Sequence, residues 1–183
     1  QPHEAPPLCL ITSDASRGAN RLTGLASIIR RISKRSSGRD NSKNSDDVTV
    51  TTRRINACRC IDKSEIAAIT LGIKTLLRDG ERRRRRRRNG HVDDRRWRVL
   101  ILTDSASAIS FFCGNGAADA PRHHAWKHVC ALKERSEDVR VVKVKSQKSR
   151  RDGFFDHEVA DTLSSLAKKT SNKDMLRWYQ SLL

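Results

Sequence analysis

Four acidic residues lie in short motifs where carboxylates could act together as one site. They are Asp14 in LITSDAS, Glu65 in DKSEIAAI, Asp104 in LILTDSAS and Asp161 in DHEVADTL. Carboxylates that are brought close together repel one another and resist ionisation, whereas a bound divalent cation removes that difficulty. Carboxylate oxygens suit Mg²⁺ or Mn²⁺. The four residues are therefore candidate ligands of a divalent metal ion.

Two of these residues follow predicted strands. Leu8–Ser13 is a short apolar run before Asp14, and Val99–Leu102 is apolar at every position and leads through Thr103 into Asp104. A run without alternation is typical of a strand buried on both faces. Open α/β sheets place their ligands at the carboxyl ends of such strands. If the first and fourth strands are adjacent and parallel, Asp14 and Asp104 stand side by side.

The hydrophobic pattern predicts the remaining elements. Three more strands are expected at Leu22–Ile32, with Gly24 marking a bulge, Val48–Ile61 and Val139–Val144. Apolar residues at helical spacing predict a first helix with Asp62 as its N-cap and Gly80 as its stop. Further helices are expected at about Ser105–Cys113, Ala125–Glu134, Phe155–Lys169 and Lys173–Leu183. The fold class expected is α/β (mixed α+β), a five-stranded mixed sheet flanked by helices.

Two segments are too polar to join a core. Ser33–Asp47 is rich in Ser, Asn, Arg and Asp and is predicted to be a mobile loop. The stretch ERRRRRRRNG contains seven arginines, whose mutual repulsion predicts a solvated, irregular segment. We expect these arginines to bind nucleic acid in a salt-dependent way, or to act as a nuclear-targeting signal. They are Arg82, Arg83, Arg84, Arg85, Arg86, Arg87 and Arg88.

The composition indicates a polyanionic partner. The 183 residues include 38 Lys and Arg against 21 Asp and Glu, a formal net charge of +17. Such an excess favours nucleic acid as a partner. Aromatic residues make up 4% of the chain, which argues against an extended stacking surface for single strands. No apolar stretch is long enough to cross a bilayer, so no membrane partner is expected.

The acidic motifs carry a resemblance to the type 1 ribonuclease H family that runs from about Leu8 to Lys169. TSDAS is similar to the family's first-strand Thr-Asp-Gly-Ser element, and SEIAAITLGIKTLL to its Glu-containing first helix. LTDSASAI is close to its Thr-Asp-Ser element, and HEVADTLSSLA to its closing Asn-Glu-x-Ala-Asp-x-Leu-Ala element. The resemblance implies a ribonuclease H-like fold, an Asp-Glu-Asp-Asp metal site and hydrolysis of the RNA strand of RNA–DNA hybrids.

Residue by residue, the resemblance places Asp14, Glu65, Asp104 and Asp161 as catalytic metal ligands. They would hold two Mg²⁺ (or Mn²⁺) ions about 4 Å apart, which activate a water and stabilise the leaving 3′ oxygen. Segments at about 33–47 and 81–94 resemble insertions in a domain over residues 8–183, which follows a flexible segment over residues 1–7.

The chain also departs from the family pattern. Where members often carry a histidine after the fifth strand, thought to aid product release, this chain offers Gln147 in that place and His157 in the next helix. His157 also replaces the Asn that usually precedes Glu in the closing element. Ala15 follows Asp14 where the family usually has Gly. These departures bear on turnover more than on metal binding.

Each acidic residue also has an ordinary structural interpretation. Glu65 could be the partner of Asp62 in a capping box, and Asp104 could cap the helix that follows it. Asp14 could be a turn residue. Asp161 could lie on a solvated face, although Asp is a poor residue for a helix interior. Four such coincidences in the family's order are less probable together than one site.

The sequence therefore predicts an intracellular, monomeric, metal-dependent endonuclease that cuts RNA in RNA–DNA hybrids, in the nucleus or mitochondrion rather than the cytoplasm. Recognition of the hybrid would depend on minor-groove geometry and 2′-hydroxyls. One alternative is a nucleic-acid-binding protein on a ribonuclease H-like scaffold with a weakened or inactive metal site, since fold alone does not fix function. Another is a ribonuclease H domain derived from a retroelement polyprotein.

Overall fold

The computed structural model describes residues 6–18, 22–32, 47–56, 61–86, 96–114, 125–144 and 155–168. Within these ranges the strands are β1 Leu8–Arg17, β2 Leu22–Ile32, β3 Asp47–Asn56, β4 Trp97–Thr103 and β5 Ser136–Lys143. The helices are α1 Ile61–Arg86, α2 Ala106–Phe112, α3 Trp126–Arg135 and α4 Phe155–Ala167. None of the helices described is long and apolar enough to span a membrane.

The strands form one mixed sheet in the order β3-β2-β1-β4-β5. The first three strands are antiparallel neighbours, as expected for a meander. Strand β4, which contains the apolar run Val99–Leu102, lies between β1 and β5 and is parallel to both. The predicted five-stranded mixed sheet and the parallel pairing of the first and fourth strands are confirmed.

Helices cover both faces of the sheet. Successive residues of a strand point to opposite faces, and β2 shows this alternation at Ile28 and Ile29. Ile28 packs in a cluster with Val159 and Leu163 of α4. Ile29 belongs to the main core with Ile69 of α1, together with residues of α2 and α3. Helix α4 therefore lies on one face, and α1, α2 and α3 lie on the other.

Strand β1 is longer than the sequence predicts. The prediction ends this strand at Ser13, but the structure continues it through Asp14 to Arg17. The extension arises because β1 and β2 form a hairpin, closed by the Gly18 N–H, which donates to the Leu22 carbonyl at 2.8 Å. Asp14 therefore lies inside a paired strand rather than in a turn.

The predicted bulge at Gly24 is wrong. Gly24 pairs in regular register with Ser16 of β1 and Arg54 of β3. Its lack of a side chain serves packing instead, because a Cβ at this position would lie 1.9 Å from the carbonyl oxygen of Ser164 in α4. Glycine is needed here for the close approach of a helix to the sheet.

Helix α1 passes both of its predicted ends. It begins at Ile61, so Asp62 is not its N-cap. Ile61, the predicted end of the third strand, therefore belongs to this helix, and the strand is described as far as Asn56. At the other end α1 continues through Gly80 and the first five arginines to Arg86. The prediction of an irregular segment is wrong for Arg82–Arg86.

Helix propensity and opposite charges explain this extension. Arginine is among the better helix-forming residues, and repulsion in the run is reduced by nearby carboxylates. Arg83 forms an ion pair with Asp47, which the sequence assigned to a loop but which begins β3. One residue before the run, Glu81 pairs with Arg135 of α3 at 2.9 Å. Arg87, Arg88 and the predicted helix at 173–183 lie outside the described residues.

Candidate metal centre

The parallel pair β1 and β4 positions two of the predicted carboxylates. The last residues paired between these strands are Thr12 and Leu102, and Asp14 and Asp104 each lie two positions beyond that pair. The predicted juxtaposition of Asp14 and Asp104 is therefore confirmed. Asp104 does not cap the helix that follows it, because Ser105 is the N-cap of α2 and its side-chain oxygen accepts the Ala108 N–H at 3.2 Å.

Asp14 is buried on the face of the sheet that α4 covers. Its pairing partner Ala26 belongs to the same cluster as the apolar residues of α4, and Asp14 is only 8% exposed. The Ser164 hydroxyl lies 2.6 Å from Asp14 Oδ2 and 2.9 Å from the carbonyl oxygen of Asp161. Ser164 thus fixes one oxygen of the Asp14 carboxyl group against α4.

His157 of α4 completes a compact group with the two aspartates. The residue is 6% exposed, and its Nε2 lies 3.8 Å from Asp104 Oδ2. Donor atoms of Asp14, Asp104 and His157 all lie within 4.8 Å of one another. Among the residues that the structure describes, these three form the group that could hold a metal ion.

The electrostatics of this group depend on burial and on His157. Burial raises the pKa of Asp14, and the negative charges of Asp161 and Asp104 raise it further, against the opposing effects of Ser164 and His157. The imidazole of His157, the polar partner of Asp104, lowers the pKa of Asp104 despite partial burial. The same contact raises the pKa of His157, although burial opposes the shift. At 3.8 Å the contact is an ion pair rather than a hydrogen bond.

The other predicted ligands described by the structure, Asp161 and Glu65, lie outside this group. Asp161 is half-buried on α4, one turn after His157, and its charge acts on Asp14. Glu65 is 7% exposed on α1, which packs against the opposite face of the sheet from α4. Because α1 begins at Ile61, Asp62 lies within the helix and not at the N-cap position that a capping box requires. Gln147 lies outside the described residues.

Two residues of α4 contribute to the site in ways that the sequence analysis does not predict. The sequence indicates His157 as a substitute for a loop histidine and as the replacement for the family's Asn, whereas the structure groups its side chain with the two aspartates. Ser164, which bonds to Asp14, was not identified. A signal was available, because His157, Asp161, Ser164 and Lys168 recur at intervals of four, three and four, which places them on one face of a helix.

The His157–Asp104 pair predicts a pH-dependent contribution to stability in the metal-free protein. His157 has a raised pKa, so its contribution is fully present below the unfolded-state pKa of about 6.5 and is lost as the pH rises through the folded-state value. We expect the unfolding free energy of the wild type to exceed that of His157→Gln most strongly near pH 5.5. Urea denaturation in EDTA from pH 5.5 to 9 measures this difference. A gap between the two proteins that stays constant across this range would contradict the prediction.

Comparisons with known proteins agree on the architecture. No protein-family model and no curated protein matches the sequence. LC11-RNase H1, isolated from compost by a metagenomic approach, is 14% identical, with a TM-score of 0.56 over 88% of this chain and 95% of that one. The N-terminal RNase H domain of Rv2228c from Mycobacterium tuberculosis is 14% identical, with a TM-score of 0.53 over 96% of this chain and 98% of that one.

A second structure of LC11-RNase H1 contains an RNA/DNA hybrid. It is 15% identical to this chain, with a TM-score of 0.51 over 78% of this chain and 89% of that one. At these identities the likeness concerns the backbone arrangement. Strand order, helix placement and the likeness to these structures together show that the chain has a ribonuclease H-like fold.

Proposed function

We propose that this chain is a metal-dependent endonuclease that hydrolyses the RNA strand of RNA–DNA hybrids. The observation that carries the proposal is the juxtaposition of Asp14 and Asp104 just beyond the paired ends of two parallel central strands. This is where open α/β sheets place ligands. The hybrid bound to LC11-RNase H1 supports the substrate class, and the net charge of +17 supports a nucleic acid.

The residues of the centre fit a divalent cation. Asp14 and Asp104 would hold the metal, and Glu65 and Asp161 are proposed as further ligands for a second ion. Without a cation the carboxylates oppose one another, since the charges of Asp104 and Asp161 raise the pKa of the buried Asp14. Oxygen donors of this kind suit Mg²⁺ or Mn²⁺. When bound, such ions would activate a water molecule and stabilise the leaving 3′ oxygen.

The protein itself would orient the ligands and exclude water. Ser164 holds Oδ2 of Asp14, which fixes the plane of that carboxyl group before a metal binds. The core behind the site is closed, because Ile11, Ile101 and Leu102 of the two ligand-bearing strands are all buried. Rigid strands on both sides of the centre provide the preorganisation that positions a nucleophile and a phosphate in line.

The direct test is cleavage of a labelled RNA–DNA hybrid in Mg²⁺ and separately in Mn²⁺. RNA duplex and DNA duplex of the same sequence serve as controls, and EDTA should stop the reaction. We expect cleavage of the RNA strand of the hybrid alone, with 5′-phosphate and 3′-hydroxyl products. Equal cleavage of the three duplexes, or cleavage in EDTA, would contradict the proposal.

One observation favours the alternative of a binding protein without nuclease activity. His157 already supplies a positive partner to Asp104, so part of the carboxylate charge is neutralised without any metal. A binding protein without nuclease activity would bind the hybrid tightly, yet would leave it intact in both Mg²⁺ and Mn²⁺. Electrophoretic mobility shifts measured alongside the cleavage reactions separate the two proposals.

The arginine run predicts salt-dependent affinity without a role in the chemistry. Replacing Arg82 and Arg84–Arg88 with Gln keeps Arg83, which pairs with Asp47. For every phosphate that the variant no longer neutralises, the slope of log K against log salt should become shallower by about 0.9. We expect weaker hybrid binding, a flatter slope and a cleavage rate at saturating hybrid that changes little. An unchanged slope, or a collapsed rate at saturation, would contradict this prediction.

A further inference from the structure

We propose that His157 is itself a metal ligand together with Asp14 and Asp104, and that its imidazole makes this centre select Mn²⁺ over Mg²⁺. The inference rests on the proposed function, because it concerns the ion held at the same centre. It adds a nitrogen donor to a site for which the sequence predicts only carboxylates. Metal selection can be measured without any nucleic acid, so the two proposals can fail separately.

The separation of His157 and Asp104 fits two ligands of one ion. Their facing atoms, Nε2 and Oδ2, lie 3.8 Å apart, which is longer than a hydrogen bond. Two metal–ligand bonds of about 2.1 Å each can span at most about 4.2 Å. The observed distance lies inside that limit, and the donor atoms of all three residues already lie within 4.8 Å of one another. Only a small closure would bring Asp14 onto the same ion.

The burial of the imidazole also points to a missing partner. The His157 side chain is 8% exposed, and its Nδ1 is buried with no hydrogen-bond partner among the residues that the structure describes. Its Nε2 is beyond hydrogen-bond distance of Asp104. A buried polar atom without a partner destabilises the folded protein. A metal ion bound to Nε2 would give this buried imidazole the polar partner that Asp104, at 3.8 Å, does not provide through a hydrogen bond.

The donor type determines which ion is preferred. Mg²⁺ is a hard ion that takes oxygen ligands and usually keeps several of its waters. An imidazole nitrogen suits first-row transition-metal ions better than it suits Mg²⁺, and Mn²⁺ is the member of that series that most resembles Mg²⁺ in its use of oxygen ligands. The element that HEVADTLSSLA resembles has Asn in place of His157. His157→Asn therefore removes the nitrogen ligand Nε2 and keeps a polar side chain that reaches only as far as Nδ1 does.

The spectroscopic test uses the metal-free wild-type protein loaded with Mn²⁺ alone. Electron spin echo envelope modulation detects an imidazole nitrogen bonded directly to Mn²⁺. We expect a strong ¹⁴N coupling in the wild type, its loss in His157→Asn, and its persistence in His128→Asn, where another histidine with a buried ring nitrogen is replaced. Absence of ¹⁴N coupling in the wild type would overturn the inference, and this result does not depend on any variant folding.

Calorimetric titration of the same proteins with Mn²⁺ and with Mg²⁺ tests the selectivity. Loss of a ligand should weaken Mn²⁺ binding by at least about tenfold, since even the loss of a residue that only supports a ligand has an effect of that size. Mg²⁺ binding should change less, so the preference for Mn²⁺ over Mg²⁺ falls in His157→Asn. An unchanged preference would overturn the inference. If the protein cleaves hybrids but its Mn²⁺ shows no nitrogen ligand, the proposed function stands and this inference fails. If Mn²⁺ has a nitrogen ligand but hybrids are not cleaved, this inference stands and the proposed function fails.

Discussion

Asp104→Asn should abolish hybrid cleavage while the sheet stays folded. Asp104 follows the central strand β4 directly, and its carboxylate faces both Asp14 and His157. An amide carries no charge to hold a divalent cation there. Loss of about 4 kcal/mol of transition-state stabilisation by a metal corresponds to about a thousandfold in rate. Single-turnover cleavage of a labelled hybrid in saturating Mg²⁺ or Mn²⁺ measures the loss.

The same substitution should have a small cost in stability. Repulsion among carboxylates alone would make the neutral variant more stable, but His157 reverses that expectation, because the ion pair lowers the pKa of Asp104. The pair is partly exposed on the Asp104 side, at 28%, so its loss should cost no more than about 1 kcal/mol. Helix α2 keeps its start, since Ser105 caps it. Circular dichroism and urea denaturation check both points.

Asp138→Asn provides a matched control on β5. Asp138 is 40% exposed and bonds to Arg140 at 2.6 Å. The same change from carboxylate to amide there should leave cleavage unchanged. If Asp104→Asn cleaved as fast as this control, Asp104 would have no place in the site. If both variants were inactive, the loss of cleavage would result from removing a negative charge at either position, and it would not indicate metal binding by Asp104.

The spacing of apolar residues predicted the strands of the sheet, because this spacing is a local property of the sequence. The apolar run of β4 predicts a strand buried on both faces. The adjacency of Asp14 and Asp104 was predicted on the condition that β1 and β4 are adjacent and parallel, which the sheet order meets. Strand β2 was predicted with its observed bounds, Leu22–Ile32. Local signals of this kind require no knowledge of which helix covers which face.

The errors arose where a residue's role depends on a distant segment. The extension of α1 to Arg86 depends on Asp47 and Arg135, which are far away in sequence. The position of His157 depends on which face of the sheet α4 covers, and the spacing of polar residues along α4 does not reveal that face. A glycine inside a strand marks either a bulge or the close approach of another backbone. The sequence of β2 alone does not show that α4 approaches it, so Gly24 was interpreted as a bulge.

Gly24→Ala should therefore affect both stability and the metal centre. A Cβ at this position would lie 1.9 Å from the Ser164 carbonyl oxygen and 3.1 Å from the Ala167 Cβ. The closest of these contacts is to backbone, so no side-chain rotation relieves it, and α4 must move away from β2. Overpacking of this kind costs about 1–3 kcal/mol, and sometimes more. Urea denaturation of the metal-free protein measures that cost.

The displacement of α4 should be transmitted to the site, because the same helix carries His157, Asp161 and Ser164. Moving Ser164 away breaks its 2.6 Å hydrogen bond to Asp14. A misplacement of about 1 Å can reduce a rate by about a hundredfold, and we expect a loss of that order in hybrid cleavage. Gly80→Ala is the matched control, since a Cβ there meets nothing within 4 Å inside helix α1. That variant should gain about 0.5–1 kcal/mol and keep its activity. A Gly24→Ala protein as stable and as active as Gly80→Ala would show that α4 does not press on β2 at this point.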